Sequence, residues 1–239
     1  MKIFLAGAAG VVGRRLVPLL VGAGHVVTGT TRSADKAATL KASGAEPVTV
    51  DVFDRDGLAR AVAAARPDVV IHQLTDLPQA FDPAALAAAS ARNARLREEG
   101  TANLVAAARA GGVTRMIAQS IAFVYAPGST LHGEDDPLGN APAQQVTVAG
   151  VMALERLVTG MPGTDGLVLR YGRFYGQGSW RSEPGDPPTV HVDAAAYAAF
   201  LAVSRGAPGI YNIADDDGAV SIEKARRELG FAPAFRLPA

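Results

Sequence analysis

Residues 2–13 read KIFLAGAAGVVG, an apolar run that flows into three glycines, Gly7, Gly10 and Gly13, set three apart. The first half has the branched and aromatic side chains of a buried strand. The second opens a stretch, 11–22, whose valines and leucines recur at helical spacing. Glycines at a strand-to-helix turn leave backbone amides uncovered, so that these and the positive end of the helix can face a pyrophosphate. The spacing predicts a dinucleotide site in which Gly7, Ala9, Gly10, Val11, Val12 and Gly13 meet the phosphates.

Outward from this turn, short apolar runs alternate with alanine-rich helical segments. Strands are expected at 2–6, 26–30, 46–50, 69–72, 115–119, 167–170 and 209–213. Helices are expected at 11–22, 34–43, 55–65, 143–158, 194–204 and 221–230, with one long helical segment over 83–111 that carries its charges on the outer side. This is the rhythm of βαβ units. It predicts an α/β fold of Rossmann type: a doubly wound, mostly parallel seven-stranded sheet with helices on both faces, in one dinucleotide-binding domain spanning 1–239. Loops 126–142 and 176–189, rich in Gly, Pro, Ser and Asp, are candidate lids. There is no internal repeat.

The 239 residues are 49% hydrophobic and 19% charged, enough to bury a full core. Lys plus Arg and Asp plus Glu are equal at 23 each, so there is no basic field for nucleic acid or an anionic membrane. Cysteine is absent, which removes disulfides, thiolate metal sites and cysteine nucleophiles together. No apolar run approaches the roughly 20 residues that cross a bilayer, and the N-terminus lacks a signal-peptide pattern; the expected location is the cytoplasm. The histidines at 25, 72, 132 and 191 show no metal-ligand spacing, and Glu134, Asp135, Asp136 and Asp215, Asp216, Asp217 lack the alternation of a calcium loop. No metal is expected.

An NAD-preferring site carries a carboxylate where the second strand ends, to hold the adenosine ribose. Here that place reads Gly29, Thr30, Thr31, Arg32. A guanidinium there pairs with a 2′-phosphate, so Thr31 and Arg32 point to NADP(H), with NADH as the alternative.

The strings VVIHQLTDLP, EEGTANLVAAARAGGVTRMIAQS, VLRYGRFYGQG, HVDAAA and GIYNIADDD, in that order and over almost the whole chain, resemble the extended short-chain dehydrogenase/reductases of the epimerase/dehydratase superfamily. The resemblance implies that Asp51 and Val52 contact adenine, that Gln73, Leu74 and Thr75 line the nicotinamide ribose, and that Tyr171 and Phe174 pack the nicotinamide ring. His72, a lone histidine on an apolar strand, reads as a hydrogen-bonded core residue. His191 and Asp193 match a landmark at the cleft edge, where a structural role is expected.

Chemistry in that family needs a serine or threonine after the fifth strand and a Tyr-xxx-Lys pair on the next helix. Anchored on Leu154, Glu155, Arg156, Leu157 and Val158, the alignment puts Thr147 at the tyrosine place and Val151 at the lysine place. Ile121 falls at the serine place, with Ser120 one residue early and kept as a polar contact to substrate or nicotinamide. No lysine occurs between Lys41 and Lys224. The substrate domain usual in the superfamily is reduced to loops, in which Trp180 and Arg181 form either a small lid or an ordinary surface turn.

With these departures the chain resembles the atypical, dyad-less ketoreductases of antibiotic biosynthesis, and the resemblance implies that it uses NADPH on a bulky aromatic polyketide of the angucyclinone type. The proton would come from a phenol on the substrate, since the protein lacks a general acid. The expected partner is thus a large aromatic small molecule, with neither nucleic acid nor membrane. The alternative is a non-catalytic NADP(H)-binding redox sensor or regulator; a sugar-nucleotide epimerase or dehydratase fits least.

Overall fold

The computed structural model describes residues 1–78, 80–128 and 131–238; Ser129 and Thr130, within the expected lid 126–142, lie outside the described residues. The chain runs β1 (Lys2–Ala6), α1 (Gly13–Gly22), β2 (Val26–Thr31), α2 (Ala34–Ala42), β3 (Glu46–Thr49), α3 (Arg55–Ala65), β4 (Val69–His72), α4 (Pro83–Arg95), α5 (Thr101–Ala110), β5 (Arg115–Ile121), α6 (Gln145–Thr159), β6 (Asp165–Tyr171), β7 (Arg173–Tyr175), β8 (Thr189–His191), α7 (Val192–Ala202), β9 (Gly209–Ile213) and α8 (Glu223–Leu229).

Seven strands form one sheet in the order β3-β2-β1-β4-β5-β6-β9, every neighbouring pair parallel. The order reverses at β1, which opens a crevice at the carboxyl ends of β1 and β4. Alternation along each strand feeds two cores. Ile3, Leu5, Ile117, Leu167 and Leu169 face α1 and α7, while Phe4, Met116, Ala118 and Val168 face α3, α5 and α6. On α7, six of the buried residues are alanines, small enough to let that helix lie close on α1.

Two expectations need correction. The segment 83–111 is not one regular helix: a π turn, Leu96–Gly100, separates α4 from α5. The turn brings Arg97 inward with Leu96 and Gly100, leaving only Glu98 and Glu99 outside, so the charges do not all share the outer side. The short parallel pair β7–β8 was not foreseen, since three residues leave no readable period. It closes the second expected loop at Thr189.

His72 is fully buried at the end of β4. Its Nδ1 accepts from the Leu74 amide at 3.2 Å, so Nε2 carries the proton and donates to Thr101 Oγ1 at 3.0 Å. Burial, with the charge of Arg97 adding to it, draws its pKa from 6.5 down to about 4. Because the folded value lies below the unfolded one, the unfolded chain takes up the proton first as the pH falls. The contribution is therefore whole above 6.5 and is lost on the way down to about 4, a loss of about 3 kcal/mol. Urea unfolding of wild type and His72→Gln across that window should give a much shallower pH dependence in the variant; equal slopes would remove His72 from the account.

Candidate active site

Between β1 and α1 the chain turns at Gly7, whose φ is +90°. A Cβ on Gly7 would stand 2.6 Å from the Gln73 carbonyl oxygen, and one on Gly13 would stand 2.6 Å from that of Ala8, so neither position admits a side chain. The Gly10 amide donates to Gly7 O at 3.0 Å, and the Gly7 amide donates to Thr30 Oγ1 at 3.2 Å, which fixes the loop to the end of β2. No side chain caps the first turn of α1; the Arg14, Arg15 and Leu16 amides are taken by the carbonyls of Gly10 and Val12, while those of Val11, Val12 and Gly13 make no backbone bond and stay open to an anion.

A cleft of about 320 Å³ lies over this turn. Gly7, Ala9 and Gly10 form one wall, Thr31, Arg32 and Lys36 the next, then Asp51, Val52 and Phe53, and finally Gln73, Leu74 and Thr75. Past Arg32 and Asp51 it continues into an open groove that adds Arg60. Val11, Val12, Gly13, Tyr171 and Phe174 lie off the cleft wall. Tyr171 connects to it through its hydroxyl, which accepts from Gln73 Nε2 at 3.3 Å, and Phe174 packs on Tyr171 with ring centroids 5.4 Å apart. Lys36 was missed in the sequence although it follows Arg32 by one helical turn.

Gln73 is 5% exposed, and its Oε1 is the one buried side-chain nitrogen or oxygen without a partner among the described residues. An orphaned acceptor, a glycine cradle closed to side chains, uncapped helix amides and a basic corner together suit a dinucleotide.

The two places that the resemblance would give to a Tyr-Lys pair are packed against neighbouring side chains. Val151 is fully buried in a cluster with Ile121, Val124 and Val148. Thr147 turns to α4, where its hydroxyl meets Ser90 Oγ at 3.2 Å. Ser120 does not reach toward a substrate: it is 1% exposed and donates to Glu155 Oε1 at 2.8 Å.

Glu155 also receives Arg170, through Nε at 2.8 Å and Nη2 at 2.7 Å. Burial pulls the Arg170 pKa down, but hydrogen bonding to Glu155 and its charge outweigh this, so it lies above the ordinary value. Arg170 Nη1 donates to Tyr125 Oη, whose proton goes to Asn212 Oδ1 at 2.6 Å. The landmarks around Tyr125, Glu155, Arg170 and Asn212 thus form one polar network.

Loop 126–142 is tied into this network. Glu134 O accepts from Arg170, Glu134 Oε1 accepts from the Asn212 amide, and His132 stacks on Tyr125 at 4.9 Å. Asp215 and Asp217 accept from Thr189 at the start of β8. His191 caps α7 through the Asp193 amide, and Asp193 pairs with Arg15 of α1 at 2.6 Å. In loop 176–188, Trp180 Nε1 donates to Pro78 O at 3.1 Å, and Phe81 meets the Trp180 ring edge-on at 5.9 Å.

A family model described as NAD(P)H-binding matches residues 7–169. A "3-diazoavenalumate denitrifying reductase" from a Streptomyces species is 40% identical over the whole chain and 85% of its own length. The "4-hydroxy-2-methyl-3-oxo-4-farnesyl-3,4-dihydroquinoline-1-oxide ketoreductase" of Stigmatella aurantiaca is 32% identical over 59% of the chain and 40% of its own length. Among solved structures, a UDP-glucose 4-epimerase from Thermotoga maritima with UDP-glucose aligns at TM-score 0.77, with 21% identity over 99% of this chain and 94% of the other. At that identity it speaks for the fold alone. Among the described residues, no helix is long and apolar enough to cross a membrane.

Proposed function

The chain belongs to the NAD(P)H-binding family and is an oxidoreductase; from that premise we propose that it uses NADPH to place hydride on an electrophilic carbon of an aromatic substrate without donating a proton. The observation that carries this is the packing of Val151 and Thr147. One is locked in an apolar cluster and the other is bonded to Ser90, so the dyad places hold no acid. The preference for the 2′-phosphorylated cofactor is supported by Arg32 and Lys36 on the cleft wall and Arg60 beside it.

In this reading the glycine turn and the open amides of Val11, Val12 and Gly13 at the start of α1 hold the pyrophosphate. Asp51 and Val52 lie along the adenosine, Gln73 to Thr75 flank the nicotinamide ribose, and Tyr171 and Phe174 back the ring. The bound cofactor supplies the hydride. Gln73 Oε1 gains a donor on binding, so Gln73→Leu should weaken NADPH about tenfold, while in the free protein removal of the unsatisfied oxygen and loss of the bond to the buried Tyr171 hydroxyl oppose each other and leave the melting temperature little changed. NADPH fluorescence titration and thermal melts check this; unchanged affinity would count against the placement.

The acceptor that best suits a site without an acid is an aryl diazonium, the kind of group named in the Streptomyces relative. Hydride forms the new C–H bond, the C–N bond breaks and N₂ leaves, with no proton required. A second acceptor, favoured by the short loops where a substrate domain would sit, is a ketone of a bulky angucyclinone-type polyketide whose neighbouring phenol supplies the proton. Loop 176–188, carrying Trp180 and Arg181, would then be the lid, while residues 131–142, tied down through His132 and Glu134, would be a fixed wall.

Following NADPH absorbance with an ortho-hydroxybenzenediazonium, with 1-hydroxy-2-acetonaphthone and with its O-methyl ether tests both. Oxidation with the diazonium, or with the free phenol far faster than with its ether, supports the reading. Equal rates for phenol and ether point to a protein-borne acid and overturn it.

A further inference from the structure

Arg97 is 7% exposed on the π turn between α4 and α5; among the described residues its guanidinium has no hydrogen bond or ion pair, and its nitrogens, unlike Gln73 Oε1, keep a narrow access to solvent. The buried carboxylate within its electrostatic reach, Glu155, is already filled by Arg170 and Ser120. Burial draws the Arg97 pKa down to about 10, against the opposing pull of Glu155. A largely buried cation without a protein partner is destabilising, and π turns gather at functional sites.

Its surroundings locate it beside the chemistry. Its charge acts on His72 at the end of β4, next to Gln73 of the cleft wall, and its chain neighbour Leu96 lines that cleft. Its charge also acts on Glu155, one helical turn along α6 from Val151. Upstream, α4 runs along the same helix, with Ser90 on Thr147 and Ala94 against Gly150. The cation thus enters from α4 and α5 beside the stretch of α6 on which the resemblance would seat a lysine.

We propose that Arg97 is a catalytic residue whose N–H groups hold the substrate oxygen on which negative charge rests as hydride is accepted. The proposal rests on the hydride-without-acid reading above and covers both acceptors. With a ketone, the new C–H bond forms as the C=O π pair moves to oxygen; the alkoxide, held by Arg97, then takes the proton of the neighbouring phenol. With an ortho-hydroxyaryl diazonium ionised at its phenol, the C–H bond forms, the C–N bond breaks, N₂ leaves with that bond's electron pair, and Arg97 holds the remaining phenolate. A preplaced cation in a water-poor site needs no reorganisation at that moment.

The test compares wild type with Arg97→Met, Arg97→Gln and Arg97→Lys. Met and Gln should lower kcat/KM about 10²-fold, with NADPH affinity within about twofold and Tm equal or higher, since an unpartnered buried charge is removed. Lys should fall between them and wild type, and it guards against a variant that fails to fold. Turnover at the wild-type rate in Met and Gln, or a loss that follows NADPH affinity or Tm, overturns the proposal. If wild type reduces neither acceptor, the reading beneath it fails, and binding to the NADP⁺-loaded protein still decides the role of Arg97. 4-Nitrophenol, titrated at a pH between its own pKa and that of Arg97, should then bind about tenfold more weakly to Arg97→Met, while 4-nitroanisole binds both alike. Equal 4-nitrophenol binding overturns the role.

Discussion

Glu155→Ala should destabilise the protein by about 3–5 kcal/mol, a fall in Tm of roughly 10 °C for a chain of this size. The variant leaves Arg170 buried at 3% exposure without its bidentate partner, and it frees the Ser120 hydroxyl in a dry interior. Arg170 also holds Tyr125 and the Glu134 carbonyl, so the loop that closes over the ends of β6 and β9 loosens with it. A double replacement, Glu155→Met with Arg170→Met, should recover much of the loss, because removing both charges avoids the orphan that removing one creates. Urea and thermal unfolding measure this. A single variant within about 1 kcal/mol of wild type would mean that the pair is solvated and the network slight.

Reinstalling the dyad should fail. Thr147→Tyr with Val151→Lys puts an ammonium among Ile121, Val124 and Val148, a group with no acceptor in that cluster. The expected cost is at least about 3 kcal/mol, with the lysine pKa driven down by burial. The tyrosine must also displace the Thr147 contact with Ser90 on α4. Ketone reduction by the double variant should remain tied to the phenol of the substrate. If the double variant reduced the O-methyl ether of 1-hydroxy-2-acetonaphthone as fast as the free phenol, with Tm preserved, the site would have been an intact dyad pocket awaiting two side chains. The apolar cluster argues for coordinated repacking instead.

What could be read from the sequence divides along physical lines. Gly7 and Gly13 were legible because a backbone that admits no Cβ leaves a local mark, and Arg32 because the end of β2 is fixed by register with β1. The seven-stranded parallel sheet was legible from βαβ alternation, while its strand order waited for the structure. Ser120 was misjudged because a strand end gives no sign of which hydroxyl meets a partner 35 residues away. Arg97 was hidden for a different reason. In a run holding Arg92, Arg95, Glu98 and Glu99 it reads as one more solvated charge, and only the wider turn rotates it inward. The orphaned oxygen of Gln73 is likewise a tertiary fact, since its isolation depends on Tyr171, 98 residues away, engaging only one end of the amide.

Trp180 is the single tryptophan of the chain. Its indole is held to the Pro78 carbonyl, a few residues beyond Thr75 on the cleft wall, with Phe81 against the ring. Indole emission overlaps the absorption of reduced nicotinamide, so the molecule contains a matched donor for resonance energy transfer. Reduced and oxidised cofactor would be told apart by light alone, without a label and without turnover. Because that donor sits on loop 176–188, the efficiency of transfer would also follow the position of the loop as the cleft fills.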